Sequence, residues 1–242
     1  MDTPRTSTET PPGSGERPSS DLPGLPEVLV GLAVLILFTV AVPRLVLPHL
    51  VSDLQGVGVA ASLLSGIAGA AAFAAAASIR LRAWGPFGVR AVRPRWLLIG
   101  VAGGVVGMLA KILIVPLTTS LFGLETSTQD SYVAGSSGSI GALVLTAIGL
   151  VILTPIGEEL FFRGVVTSWL MRYAPIVATL GSAVVFALAH GINFVLPAAL
   201  LVGVITAELR RRSGSVWPGV VVHAVNNSVT VISYAAAPQL MG

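Results

Sequence analysis

The chain has 242 residues, of which 54% are hydrophobic and only 10% charged, and its mean hydropathy is +0.87. Soluble domains carry about a quarter charged residues, so this composition predicts an integral membrane protein. The arginines form a few clusters and no basic groove with interleaved aromatic residues, which argues against nucleic acid as a partner. The chain has no cysteine, which excludes disulfides, thiolate metal ligands and a cysteine nucleophile.

Residues 1–26 differ in composition from the rest of the chain. They are rich in Pro, Ser, Thr and Gly and carry charges of both signs, so they cannot bury enough apolar surface to order themselves. We therefore predict a disordered N-terminal tail. It is also too long and too acidic for the basic start of a signal peptide, so we expect the first apolar segment to be retained.

The apolar segments that follow predict an all-α, polytopic membrane helix bundle. A bilayer core of about 30 Å needs roughly 20 helical residues, and on that basis about seven transmembrane helices are expected. They lie at 27–47, 56–79, 96–118, 141–171, 175–191, 193–210 and 215–236. The first three make up an N-terminal membrane region, residues 27–140. The fourth is longer than needed, which indicates a tilt or a break near Pro155 and Gly157.

The distribution of arginine predicts the orientation of this bundle in the lipid bilayer. Arginines follow the second, fourth and sixth predicted spans, whereas the loop at 119–140 has neither lysine nor arginine. All three groups would then lie on one side, which the positive-inside rule makes cytoplasmic. The sequence therefore predicts a multi-pass protein of the cell membrane with a cytoplasmic N-terminus.

Three groups of polar residues lie within the apolar segments, where lipid-facing helices avoid them. In the first, Glu159 precedes Arg163 by four residues, so the two can pair on one helix face and leave Glu158 free to face the bundle centre. The second ends at His190, and the third contains His223 together with Asn227, four residues later. We expect Glu158, His190 and His223 to converge within about 8 Å of one another, close enough to share water.

These residue types are sufficient for hydrolysis of an amide. A partly desolvated Glu158 could take a proton from water that His190 helps to hold, while His223 and Asn227 donate hydrogen bonds to the developing oxyanion. The same Glu158, His190 and His223 could instead bind a divalent metal such as zinc with an open position. Since the chain has no HExxH helix, such a metal site would be assembled across helices. The residues leave both alternatives open.

The motifs themselves resemble a known family. EExxxR at Glu158 to Arg163, FxxxH at Phe186 to His190 and HxxxN at His223 to Asn227 occur in the order found in the CPBP family. That family comprises type II CAAX prenyl endopeptidases and bacteriocin-processing or immunity membrane proteases. The resemblance covers roughly residues 141–236, which would form a catalytic membrane core with its cavity inside the bilayer.

The resemblance implies roles for these residues. Glu158 with His190 would activate water, His223 with Asn227 would stabilise the oxyanion, and the substrate would be a membrane-associated or lipid-anchored peptide or protein. The family has been described as metalloproteases, although a glutamate mechanism without a catalytic metal has also been argued for it. Two alternatives remain, a non-catalytic immunity or scaffold protein and a small proton-coupled transporter. The transporter is disfavoured because the chain shows no internal repeat.

Overall fold

The structure, a computed structural model, describes residues 22–240 except 82, 125 and 126. These residues form helices and no strand, which confirms the all-α prediction. The helices are α1 Leu25–Leu45, α2 Leu47–Leu50, α3 Leu54–Ile79, α4 Pro94–Phe122, α5 Asp130–Ser137, α6 Ile140–Leu170, α7 Pro175–Ala189, α8 Leu196–Ser213 and α9 Trp217–Leu240. The predicted disordered tail lies outside the described residues as far as residue 21, and its predicted end at residue 26 falls inside α1.

Four of these helices, α1, α3, α4 and α6, are long and apolar enough to cross a membrane. Helix α7 is apolar but has only 15 residues, which extend about 22 Å and fall short of a bilayer core of about 30 Å. Helices α7, α8 and α9 correspond to the last three predicted spans. The described residues thus form a helical membrane protein, and the count of seven crossings stays a prediction.

Helix α6 continues without a break through the region where a tilt or break was predicted. Its α-helical turn Thr154–Glu159 lies between two π-helical segments, Ile148–Leu153 and Leu160–Thr167. Proline removes one backbone hydrogen bond and crowds the carbonyl four residues earlier, and the wider π winding before Pro155 accommodates both effects. The turn that carries Glu158 is therefore part of a continuous but irregular helix.

Helices α3 and α6 approach each other until their backbones are in contact. A Cβ atom on Gly157 would lie 2.1 Å from the carbonyl oxygen of Gly66, and one on Gly69 would lie 2.4 Å from the carbonyl carbon of Gly157. Only glycine fits at such a distance, and small residues are the usual means by which membrane helices pack closely. This contact brings Ser65 of α3 opposite Glu158 of α6.

The arginines that follow α3 and α6 and those in the last turn of α8 gather at one end of the bundle, as the sequence predicted. Their contacts join the start of α1 to the ends of α3 and α6, and the loop after α3 to the end of α8. The pairs are Arg80 Nε with Glu27 at 3.2 Å, Arg172 with the carbonyl of Pro23, and Arg90 Nε with the carbonyl of Gly214 at 2.8 Å. This end is called the arginine end below.

The segment 119–140, predicted as a loop, is partly helical. Helix α4 continues to Phe122, and the eight residues of α5 pack against α3, where a Cβ atom on Gly58 would lie 1.9 Å from the carbonyl oxygen of Ser131. Serine and glycine weaken the apolar periodicity of α5, so the sequence pattern did not indicate this helix.

Candidate active site

The three predicted site residues converge. Oε2 of Glu158 lies 3.8 Å from Nε2 of His190 and 3.9 Å from Nε2 of His223. These side chains come from α6, from the end of α7 and from α9, so the predicted convergence within about 8 Å is confirmed. Glu158 and His223 are buried, whereas 26% of the His190 side chain is exposed. The site is thus closed on most sides and open beside His190.

Glu158 uses its two carboxylate oxygens differently. Oε1 accepts a hydrogen bond from the hydroxyl of Ser65 at 3.1 Å. Oε2 accepts none from the described residues, although both imidazoles face it. Separations of 3.8 and 3.9 Å are too long for direct hydrogen bonds but are suited to groups that share one water molecule.

The position of His190 is set by the end of α7. Its Nδ1 lies 2.8 Å from the carbonyl oxygen of Phe186, and its own carbonyl accepts a hydrogen bond from Asn193 Nδ2 at 2.7 Å. Neutral imidazole that donates from Nδ1 carries its lone pair on Nε2, the atom facing Glu158. The Phe186 ring packs against both His190 and His223, with ring centres 4.7 and 5.7 Å apart. Phe186 thus forms a wall of the site.

Glu159 and Arg163 form the predicted i, i+4 ion pair. Nε of Arg163 lies 3.2 Å from Oε2 of Glu159, and neither side chain is exposed. Arg163 also donates from Nε to Thr206 Oγ1 at 2.7 Å, and its guanidinium lies 4.3 Å from the centre of the Phe186 ring. One arginine thereby connects α6 to α8 and α7.

Glu159 has a further contact that helical spacing did not indicate. Its Oε1 lies 3.5 Å from Nδ1 of His223, while Nε2 of the same ring faces Glu158. His223 therefore lies between two successive carboxylates of α6. An N–H on Nδ1 directed at Glu159 would fix the ring plane, as a carboxylate does for histidines in catalytic sites. Glu159 is thus more than a partner for Arg163.

Asn227 is oriented differently from the other predicted site residues. Its Nδ2 donates to the carbonyl oxygen of Leu150 at 2.9 Å, in the first π-helical segment of α6. A carboxamide has two N–H groups, so one can still point elsewhere. Its predicted role at an oxyanion stays a prediction. The neighbouring Asn226 is buried, and its Oδ1 accepts no hydrogen bond from the described residues.

The donor atoms of Glu158, His190 and His223 are spaced more widely than the ligands of a tetrahedral zinc ion. Within the described part of the chain, no group of three His, Asp or Glu side chains is arranged to hold a metal ion. A tetrahedral zinc ion about 2.0–2.2 Å from each ligand places ligand atoms about 3.4 Å apart. Glu158 and the two histidines are more widely separated and would have to move closer. Ligation by Glu158, His190 and His223 stays a prediction.

Two residues near Glu158 were missed by the sequence interpretation. Ser65 precedes Glu158 by 93 positions in a helix of mainly small residues, and nothing in its spacing indicates the contact. Tyr132 lies on α5, where burial raises its pKa to about 12 and the nearby negative charge of Glu158 contributes. Its hydroxyl therefore stays neutral at ordinary pH.

A carboxylate facing two imidazoles inside a bundle of apolar helices is the kind of site expected of a membrane-embedded hydrolase. Residues 140–229 match the family model of the Rce1-like type II CAAX prenyl endopeptidases. That range includes every predicted site residue from Glu158 to Asn227, and the match confirms the resemblance to the CPBP family. No match was found among curated proteins or solved structures. The matched range runs from the start of α6 into α9, the helices that carry Glu158, His190 and His223.

Proposed function

We propose that this chain is an intramembrane endopeptidase that cleaves a membrane-associated or lipid-anchored peptide or protein. The observation that carries the proposal is the position of Glu158 Oε2, within 3.9 Å of Nε2 on both His190 and His223. A water molecule shared by Glu158 and His190 would lie where a carboxylate can accept its proton. Because the site is largely buried, its polar groups act with little competition from solvent.

The reaction follows from the groups that face this position. Glu158 accepts a proton as the water oxygen bonds to the carbonyl carbon of the substrate, and the carbonyl oxygen becomes an oxyanion. His223, with its ring oriented by Glu159 at Nδ1, would donate from Nε2 to that oxyanion. The free N–H of Asn227 would donate to it as well. The C–N bond then breaks and the leaving amine takes the proton from Glu158.

The experiment is cleavage of a library of lipid-anchored and unanchored peptides by the purified protein in detergent. We expect the wild type to cleave at least one peptide, and Glu158→Gln to lose turnover while its elution and melting temperature stay those of the wild type. Glu208→Gln is the matched control, since Glu208 pairs with Arg211 and Arg212 outside the site. Equal turnover by Glu158→Gln and the wild type would overturn the proposal.

A non-catalytic immunity or scaffold protein is the other outcome of this experiment. Binding of a peptide without cleavage by the wild type, at any concentration of enzyme, would favour it. Comparison of prenylated with unprenylated forms of the same peptide then shows whether the activity extends to CAAX processing, for which the family match is the present support.

A further inference from the structure

We propose that Ser65 is a positioning residue, which holds the carboxylate of Glu158 so that Oε2 stays directed at both histidines. The inference deepens the proposed function and rests on it. It adds a residue of α3, outside the range 140–229 that the family model matches, to the machinery of the site.

The contact of Ser65 is unusual for a helical serine. Serine hydroxyls within helices commonly donate to a carbonyl three or four residues earlier in the same helix. Ser62, one turn before, does this, donating to the carbonyl of Val59 at 2.7 Å. Ser65 instead donates across the interface to Glu158 Oε1 at 3.1 Å. Two serines of one helix thus differ in whether their hydroxyl reaches the site.

The packing of α3 on α6 maintains this contact. Gly66 and Gly69 of α3 touch the backbone of α6 around Gly157, immediately beside the Ser65 and Glu158 side chains. Backbones in contact at these positions leave the two helices little freedom to separate or slide. The hydroxyl is therefore presented at a fixed distance from the carboxylate.

A hydrogen bond to one oxygen determines where the other oxygen points. The terminal torsion of a glutamate is broad, so the carboxylate plane of an unrestrained side chain turns easily. With Oε1 bonded to Ser65, Oε2 lies between the two Nε2 atoms, at 3.8 and 3.9 Å. Without that bond, the carboxylate would spend less time in the orientation that can accept a proton from the shared water. Removal of this hydrogen bond should therefore slow the chemical step and leave substrate binding unchanged.

The test compares Ser65→Ala with Ser65→Thr, which keeps the hydroxyl, and with Ser62→Ala, which removes a hydroxyl that bonds only within its own helix. We expect Ser65→Ala to lower kcat by roughly tenfold or more, as for loss of one hydrogen bond to a charged group, with KM unchanged. Ser65→Thr should retain most of kcat, and Ser62→Ala should match the wild type. If Ser65→Ala does not fold, the nearly isosteric but weakly donating Ser65→Cys replaces it, with the same expectation.

A second measurement separates this inference from the proposed function. A hydrophobic carbodiimide modifies protonated carboxyl groups within membranes, and mass spectrometry reports its rate of reaction with Glu158 whether or not the protein cleaves peptides. Removal of the Ser65 hydroxyl frees Oε1 and releases the carboxylate from its fixed orientation, so Ser65→Ala should be labelled at Glu158 faster than the wild type or Ser62→Ala. Unchanged labelling together with unchanged kcat would overturn the role of Ser65. Faster labelling in a protein that cleaves nothing would support the contact while the proposed function fails.

Discussion

Arg163 lies one turn after Glu159, and the two wholly buried side chains form an ion pair with Nε 3.2 Å from Oε2. Their second contacts explain why the pair is placed beside the site. Arg163 bonds to Thr206 of α8, and the free oxygen of Glu159 faces Nδ1 of His223 on α9. The pair therefore holds His223 in position as well as joining helices.

We expect Arg163→Ala to destabilise the protein by about 3–5 kcal/mol, because it leaves the Glu159 carboxylate buried without a cation. Glu159→Gln should lower folded yield more than it lowers specific activity, although the contact with His223 predicts some loss of kcat as well. Thermal unfolding in detergent measures the loss of stability in Arg163→Ala. The yield and the turnover of purified Glu159→Gln measure the other two effects. Arg211→Ala is the control, since Arg211 pairs with Glu208 in a partly exposed position, where solvent screens the ion pair and its contribution to stability is small. An Arg163→Ala protein as stable as the control would contradict this account.

The contact of α3 with α6 predicts that Gly157→Ala prevents normal folding. Its new Cβ would meet the carbonyl oxygen of Gly66 at 2.1 Å, and since that atom belongs to the backbone, a whole helix must move. Gly141→Ala, in the same helix, is the matched control because the nearest atom to its Cβ would be 3.9 Å away. The unfolding temperature of Gly141→Ala should equal or exceed that of the wild type, because alanine has a higher helix propensity than glycine. The purification yield and the elution profile of Gly157→Ala are compared with those of Gly141→Ala. Equal yields and profiles would show that α3 and α6 are farther apart than described.

Relationships within one helix were predictable from the sequence, whereas those between distant segments were not. Four residues separate Glu159 from Arg163, and helical geometry alone places them on one face. The contact of Ser65 with Glu158 depends on how two helices dock, which local spacing does not encode. The sequence predicted a tilt or a break near Pro155, and the structure accommodates that proline by a change of helical winding. The convergence of His190 and His223 on Glu158 was predictable because polar groups at membrane depth need one another as partners.

Removal of metal distinguishes the two ways in which the site could activate water. We expect purified protein to contain less than stoichiometric zinc and to keep its activity after exhaustive chelation, since the spacing of Glu158, His190 and His223 is wide for one ion. Elemental analysis and turnover before and after chelation measure this. Activity that is lost on chelation and restored by zinc alone would establish a metal mechanism at these residues instead.

The orientation in the bilayer can be tested directly because the chain contains no cysteine. Ala91 lies in the loop at the arginine end, and Ile140 begins α6 at the opposite end, 30 residues before Leu170. Both side chains are exposed. The positive-inside rule predicts that the arginine end is cytoplasmic. In intact cells, a membrane-impermeant maleimide should therefore label Ile140→Cys and leave Ala91→Cys unlabelled until the membrane is permeabilised.

The unsubstituted protein gives the background of this experiment, since it offers no thiol to the reagent. Labelling of both variants after permeabilisation shows that each cysteine is accessible, so that protection in intact cells reports the side of the membrane. Labelling of Ala91→Cys but not Ile140→Cys in intact cells would reverse the predicted orientation. The bundle, the arginine end and the contacts of Glu158 would stay the same, and only the side of the membrane that each end of the bundle faces would change.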